Sequence, residues 1–175
     1  CFGVKRALDT IDRLYEEGRS VQVYGQLIHN RTVLDNLTAR GIETNDSLDR
    51  LDPQKTLVIR THGIPKEEEV YLKSMNAEVV DATCPLVKKL HKKIADSYRS
   101  ECTKNSDHQI LIVGDRFHPE IVAARSYAPG AVVIGTEEDA RNLEDRDCIS
   151  VVVQTTLDSR LFEGIIAILE EKTRK

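Results

Sequence analysis

The sequence predicts a parallel α/β fold, and two features of its 175 residues indicate it. Strand and helix patterns alternate along the whole chain, as in proteins whose parallel strands are connected by helices. The strands are short, continuously apolar and rich in β-branched residues, as expected when helices cover both faces of a sheet. The alternation is long enough for two small units, so we predict domains over 1–84 and 85–175. One larger doubly wound domain is the alternative.

Before residue 84, each predicted element follows from a local signal. Apolar residues at helical spacing predict a helix over 4–15, which Gly18 ends, and a second helix around 33–37, which Gly41 ends. Pro65 opens a third helix, at a position where its missing N–H group does no harm. Runs of apolar and β-branched residues predict the strands, over 21–24, 56–60 and 77–81.

After residue 84, Pro85 and Pro119 open two more helices in the same way. Thr136 is predicted to cap a further helix, because its side chain can accept a hydrogen bond from the first turn. The acids at 137–139 complement the dipole of that helix. The last helix is predicted over 158–171, and the strands between these helices are predicted over 109–114, 131–134 and 150–154.

The composition argues against several classes of function. The net charge is −4 and the isoelectric point is about 5.8, so no basic surface indicates nucleic acid or a membrane as a partner. The chain has no apolar run of about 18 residues that could cross a bilayer. It also has no basic stretch followed by an apolar core, the pattern of a secretion signal. We therefore expect a cytoplasmic protein.

The four cysteines are too few for a disulfide scaffold in a chain of this length. No two of them form a C-x-x-C pair, which excludes a zinc ribbon or a thioredoxin motif. In a reducing cytoplasm their thiols are expected to be free or bound to metal. We interpret Cys102 and Cys148 as incidental, His91 as a surface residue of a helix and His108 as a surface residue of a loop.

Side chains that can bind an anion or a metal, or transfer a proton, follow the predicted strands. In open α/β folds, ligands bind at the carboxyl ends of the strands, and helices that begin there direct backbone N–H groups towards an anion. Histidine and threonine side chains at such ends suit a phosphate group. The residues concerned are His29, His62, Cys84, His118, Glu120, Thr155 and Thr156.

Each of these residues also has a purely structural interpretation. A histidine at a strand end can be a cap or a loop residue, and Cys84 can be a buried structural thiol. Thr155 and Thr156 can cap the last helix, and Glu120 can complement a helix dipole. The position of three of the five histidines at strand ends favours a site over these separate interpretations.

Six short blocks of the sequence resemble the 4-hydroxy-3-methylbut-2-enyl diphosphate reductase family, also called LytB. They follow one another in that family's order, and the block that begins at Asp81 is the most specific. The blocks are Cys1-Phe2-Gly3-Val4, Leu27-Ile28-His29-Asn30, Thr61-His62-Gly63, Asp81-Ala82-Thr83-Cys84-Pro85-Leu86-Val87, His118-Pro119-Glu120 and Gln154-Thr155-Thr156.

This resemblance implies a trefoil of three small α/β domains around a 4Fe–4S cluster that three cysteines hold. By motif, Cys1 and Cys84 are two of these three ligands. The third cysteine belongs to the family's third domain, and its motif is not found before Lys175. We therefore expect two small parallel-sheet domains of the trefoil, with the third domain absent, and a fragment that holds a cluster poorly by itself.

The resemblance also implies a reaction. It is the reductive dehydroxylation of 4-hydroxy-3-methylbut-2-enyl diphosphate to isopentenyl and dimethylallyl diphosphate, the last step of the methylerythritol phosphate pathway. Ferredoxin or flavodoxin would supply the electrons. By motif, His29, His62 and His118 bind the diphosphate. Thr155 and Thr156 line the pocket beside the substrate alcohol, and Glu120 supplies a proton.

Two other classes of protein remain open on the sequence. One is a phosphate-binding module without enzymatic activity that has lost the redox centre. The other is a mononuclear zinc hydrolase with ligands drawn from the same three histidines and Glu120. The hydrolase interpretation leaves Cys1 and Cys84 unexplained, and it lacks the helical His pair at i and i+4 that is common in zinc hydrolases.

Overall fold

The computed structural model describes residues 2–27, 30–102, 108–146 and 148–173. Cys1 and His29, two of the predicted site residues, therefore lie outside the described residues. The chain divides into two compact units, Cys1–Lys88 and Lys89–Lys175. This division falls inside the helix Pro85–Ser97, and the predicted boundary after Cys84 lies at the beginning of the same helix.

The first unit is built on a four-stranded sheet in which every pairing is parallel. Its strand order is β2-β1-β3-β4. The central strands β1 and β3 are buried along their whole length, as expected for strands with neighbours on both sides and helices on both faces. The four strands are β1 (Val21–Tyr24), β2 (Glu43–Asn45), β3 (Thr56–Ile59) and β4 (Val79–Asp81).

Helices cover this sheet with their apolar faces. The face of α1 that carries Ala7, Ile11 and Leu14 is buried and packs with Val23 and Val58 of the central strands. Burying each large apolar side chain contributes about 1.5–3 kcal/mol, so this face fixes the position of α1. The helices of this unit are α1 (Phe2–Glu16), α2 (Arg31–Ala39) and α3 (Lys66–Ser74), and a 3₁₀ turn lies at Leu48–Arg50. Helix α4 (Pro85–Ser97) begins in this unit and continues into the second, where its buried Leu90 and Ile94 pack with Ile110 and Ile112.

The second unit has a three-stranded parallel sheet of order β6-β5-β7. Leu111 in the central strand pairs with Val132 on one side and Val151 on the other. Strands β5 (His108–Val113), β6 (Val132–Ile134) and β7 (Cys148–Val153) alternate with helices α5 (Pro119–Arg125), α6 (Glu137–Arg141) and α7 (Ser159–Thr173), and a π-helical turn at Tyr98–Cys102 continues α4.

The predicted parallel α/β class is confirmed, and the capping signal of α6 is also confirmed. Thr136 Oγ1 accepts a hydrogen bond from the backbone N–H of Asp139 at 3.1 Å, and the Asp139 carboxylate accepts one in return from the backbone N–H of Thr136 at 3.0 Å. Strand β2 and the π-helical turn are not among the elements predicted from the sequence. In the part of the chain that the structure describes, each helix is too short or too polar to cross a membrane.

Two predictions of surface histidines are wrong. His91 is buried in α4, where its ring stacks on Tyr127 at a centroid distance of 4.5 Å. His108 is buried at the first residue of β5, and its Nε2 lies 3.0 Å from Ser150 Oγ on the neighbouring strand. Both rings are buried against residues distant in the sequence, Tyr127 and Ser150, and local sequence does not indicate such contacts.

Candidate functional site

The turn that carries Cys84 is held on several sides. It follows β4 and leads into α4. The first hydrogen bond of that helix runs from the N–H of Lys88 to the carbonyl of Cys84, at 2.9 Å. The N–H of Cys84 donates to the carbonyl of Thr61 at 2.8 Å, and the N–H of Ala82 donates to the carbonyl of Ile59 at 3.1 Å. These bonds fasten the turn to the end of β3 and place the half-buried Cys84 thiol at the N-terminus of α4.

Asp81 supports the same turn electrostatically. Its Oδ1 accepts a hydrogen bond from the Thr83 N–H at 2.9 Å, and its Oδ2 lies 2.5 Å from Lys88 Nζ. Burial disfavours the charged carboxylate, but the bonds from Lys88 and Thr83 outweigh this effect and hold the pKa of Asp81 below its ordinary value. Asp81 is therefore ionised at neutral pH, where it stabilises the backbone immediately before Cys84.

The first turn of α1 packs directly against the Cys84 side chain. Gly3 is buried, and a Cβ atom added there would lie 2.7 Å from Sγ and 2.9 Å from Cβ of Cys84. Real Cβ atoms essentially never approach other atoms so closely, so this contact requires glycine. Gly3 belongs to the same short motif as Cys1, so one described residue of that motif contacts Cys84, whereas Cys1 itself lies outside the described residues.

We predict that Gly3→Ala displaces the Cys84 thiol. Alanine is the better helix former by about 0.5–1 kcal/mol, but the added methyl group must push the Cys84 side chain or α1 aside. If Cys84 is a ligand of the iron–sulfur cluster that the sequence resemblance implies, the full-length variant should bind clearly less iron per chain, measured after anaerobic purification.

The matched control for this variant is Gly164→Ala in α7. A Cβ atom there meets the carboxylate end of the flexible Glu137 side chain, which can move. This variant should keep its iron and melt at the same temperature as the wild type or slightly higher. Iron content that is unchanged in Gly3→Ala would contradict the prediction that the Gly3 contact positions the Cys84 thiol.

The turn that carries His62 lies at the carboxyl end of β3. The Gly63 N–H donates to the Arg60 carbonyl at 3.2 Å, and Arg60 Nε donates to the Gly63 carbonyl at 3.1 Å. Gly63 has a φ of +74°, a conformation that glycine adopts without strain. The two bonds close the turn on itself and fix the backbone around the half-buried His62.

Thr61 is a buried residue that the sequence analysis did not single out. Its hydroxyl donates to the carbonyl of Leu27 at 2.7 Å, and its carbonyl accepts the bond from Cys84 described above. Thr61 thus connects the segment after β1, which leads to His29, with the Cys84 turn. The signal available in the sequence was a threonine between an apolar strand and His62-Gly63.

In the second unit, the Glu120 carboxylate is bound by Thr155. Glu120 is 1% exposed in the first turn of α5. Its Oε1 accepts from the Thr155 N–H at 2.7 Å, and its Oε2 accepts from Thr155 Oγ1 at 2.7 Å. Thr155 itself is exposed. The hydroxyl of Thr155 therefore connects a buried carboxyl group with the surface, which is a suitable arrangement for moving a proton.

His118 caps the helix that carries Glu120. Its Nδ1 accepts a hydrogen bond from the Glu120 N–H at 3.2 Å. An imidazole nitrogen that accepts a bond carries no proton, so the ring is neutral in this arrangement and its proton is on Nε2. A half-buried His118 in this state contributes a hydrogen-bond donor rather than a positive charge.

Gln154 is a second residue that the sequence analysis quoted only as part of a block. It is buried at the end of β7, where its Oε1 accepts from the Asp115 N–H at 2.9 Å and its Nε2 donates to Thr156 Oγ1 at 3.1 Å. Gly114 has no side chain at the point where a Cβ atom would lie 2.7 Å from Gln154 Oε1. Gln154 thereby joins the loop after β5 to Thr156.

The predicted site residues form one described group in each unit. Cys84 and His62 lie on adjacent turns connected through Thr61, and Glu120 contacts Thr155. Their convergence on one centre with Cys1 and His29 stays a prediction. Among the His, Cys, Asp and Glu side chains that the structure describes, no three are placed to hold one metal ion.

The fold and these groups define a class of protein. It is an α/β protein in which two parallel sheets present ligand-capable side chains at the carboxyl ends of their strands, a cysteine in one unit and a threonine-bound glutamate in the other. The family model described as LytB protein matches residues 1–175, and the chain belongs to the LytB family.

Curated relatives agree with this assignment. The chain is 33% identical over 179 residues to the 4-hydroxy-3-methylbut-2-enyl diphosphate reductase of Thermoanaerobacter sp. strain X514, covering 99% of the chain and 60% of the relative. It is 36% identical over 177 residues to the reductase of Campylobacter hominis, covering 100% of the chain and 61% of the relative. The chain therefore spans about three-fifths of the length of these relatives.

Solved structures give the same fold. A structure of (E)-4-hydroxy-3-methyl-but-2-enyl diphosphate reductase, described as the terminal enzyme of the non-mevalonate pathway, matches with a TM-score of 0.84 and 28% identity over 99% of this chain and 61% of that chain. The Plasmodium falciparum reductase matches with a TM-score of 0.89 over 99% of this chain and 54% of that chain. At 24% identity, the second match supports the fold alone.

Proposed function

We propose that the chain is part of an iron–sulfur oxidoreductase that converts 4-hydroxy-3-methylbut-2-enyl diphosphate to isopentenyl and dimethylallyl diphosphate, the last step of the methylerythritol phosphate pathway. The observation that carries this proposal is the contact of Gly3 with the Cys84 thiol, because it joins the Cys1 motif to the second cysteine. Membership of the LytB family and relatives that are named as this reductase support it.

The donor set in the first unit fits a 4Fe–4S cluster. Thiolates suit iron–sulfur clusters, and a half-buried thiol at a helix N-terminus lies where negative charge is favoured. Cys1 and Cys84 would be two ligands, and the third would come from the part of the protein that the relatives have beyond the matched region. When bound, such a cluster supplies electrons and an iron that can act as a Lewis acid on the substrate hydroxyl.

Three histidines would bind the diphosphate. His29, His62 and His118 each follow a strand, where an anion also gains from nearby helix N-termini. In the observed arrangement His118 would donate a hydrogen bond from Nε2 and add no charge of its own. The charge of the diphosphate would therefore be offset by other groups, and orientation is the main role that we assign to His118.

Glu120 and Thr155 would deliver the proton that leaves with the hydroxyl. The net reaction consumes two electrons and two protons and releases water. With Glu120 protonated, the hydrogen bond to Thr155 can reverse, and Thr155 can then pass its own proton outwards to the leaving hydroxide. Thr155 and Thr156, both exposed, would line the pocket beside the substrate alcohol.

The electrons would come from a one-electron carrier such as ferredoxin or flavodoxin. Cysteine thiols are kept reduced, and so available as iron ligands, in the cytosol, and we therefore propose that the protein works in the cytoplasm.

The proposal is tested by purifying the full-length protein anaerobically. We expect bound iron and sulfide, a brown colour, and turnover of 4-hydroxy-3-methylbut-2-enyl diphosphate with a reduced dye as electron donor. Zinc without sulfide would instead support the hydrolase, and diphosphate binding without any metal would support the binding module. Either of these results would contradict the proposed function.

A further inference from the structure

We propose that Arg6 is a positioning residue that fixes the Cys1 segment to the Cys84 turn. This inference rests on the proposed function, since it assigns Arg6 to the cluster that these two cysteines would hold. Arg6 lies on α1, and its Nη1 donates a hydrogen bond to the carbonyl of Thr83 at 3.0 Å. The two residues are separated by 77 positions in the sequence, and Thr83 immediately precedes Cys84.

The bond from Arg6 adds to a set of backbone hydrogen bonds that hold the Cys84 turn. The N–H groups of Ala82, Thr83 and Cys84 donate to Ile59, to the Asp81 side chain and to Thr61 respectively. The carbonyl of Cys84 begins α4. Thr83 is buried, so its carbonyl would lose a partner in a place where water replaces it poorly if Arg6 were removed.

Arg6 and Gly3 together determine how α1 lies against this turn. Residues three apart in a helix share a face, so both point towards the Cys84 turn. Gly3 sets the closest approach, because any larger residue would meet the Cys84 thiol. Arg6 provides an attractive attachment one turn further along α1. The beginning of α1, which carries Phe2, Gly3 and Val4 of the Cys1 motif, is thus held to the Cys84 turn at two points, Gly3 and Arg6.

Arg6 also places a permanent positive charge beside the proposed cluster. The arginine side chain stays protonated in proteins. The Arg6 guanidinium binds the carbonyl of Thr83, the residue immediately before Cys84. The reduction potential of an iron–sulfur cluster depends on net charge and hydrogen bonding around it. A nearby cation stabilises the reduced, more negative cluster, so Arg6 should raise the potential.

The test uses three variants of the full-length protein with its cluster: Arg6→Gln, Arg6→Lys and Arg13→Gln. Arg13 is the matched control, since it is a mostly exposed arginine on the same helix whose ion partner is Glu17, one turn away. We would measure the rate of iron loss to a chelator and the reduction potential of the cluster.

In Arg6→Gln we expect iron loss to be about tenfold faster, from the lost charge-assisted hydrogen bond, and the potential to fall. Arg6→Lys keeps the charge and should restore most of the potential, with an intermediate rate of iron loss. Arg13→Gln should match the wild type in both measurements.

Several results would overturn this inference. One is an Arg6→Gln protein with the rate and potential of the wild type, and another is an equal effect in Arg13→Gln. If Arg6→Gln does not fold, Arg6→Lys decides: faster iron loss supports the inference and the wild-type rate overturns it. A wild-type protein without a cluster would instead contradict the proposed function, so the two failures are distinguishable.

Discussion

Replacing Cys84 by serine in the full-length protein should give a colourless enzyme with turnover at background level. Serine has nearly the same size, so the contact with Gly3 and the bond from the Cys84 N–H to Thr61 should survive. The hydroxyl, however, is not a soft anionic ligand and replaces a thiolate on iron poorly. The measurements are iron and sulfide per chain, visible absorption, and turnover with a reduced dye.

Cys148→Ser is the matched control for this variant. Cys148 is a half-buried free cysteine at the start of β7, where it pairs in register with His108 of β5. Serine there should change stability by no more than about 1 kcal/mol and leave iron and activity intact. A complete cluster in Cys84→Ser, or an equal loss in Cys148→Ser, would contradict the assignment of Cys84 as a ligand.

Replacing Glu120 by glutamine should reduce turnover by about 10²–10⁴-fold while iron content stays at the wild-type level. Glutamine keeps the shape of the side chain. Its Oε1 can still accept from the Thr155 N–H, and its Nε2 can donate to the Thr155 hydroxyl once that hydroxyl reorients. The buried contact is therefore preserved, and the main change is that the side chain can no longer supply a proton.

The control for charge alone is Glu138→Gln, which removes an exposed acid from the first turn of α6. It should leave turnover unchanged. The kinetic measurement is kcat and KM under saturating reductant, together with a binding titration of substrate. Turnover at the wild-type level in Glu120→Gln would remove Glu120 from the role of proton donor, whereas a parallel loss of iron would indicate a structural role.

Local sequence was sufficient for the fold class. The apolar strands and most helices are specified within a few residues, by β-branched runs, apolar spacing and turn residues, and the short apolar strands of α/β alternation imply parallel pairing. The capping box at Thr136 and Asp139 was predictable for the same reason, since both partners lie within one helical turn. β2 was missed because it is an edge strand whose residues Glu43, Thr44 and Asn45 carry no apolar pattern.

The candidate site was predictable only in its residue types and in its position after the strands. The sequence by itself determined the parallel α/β class and the order of the motif blocks along the chain, and it left one larger domain open as an alternative to two small ones. The tertiary structure decided that Gly3 touches the Cys84 thiol, that Arg6 reaches Thr83, that Thr155 binds Glu120 and that His108 is buried. These contacts join residues far apart in the chain, so they depend on strand order and helix packing, which no local pattern encodes.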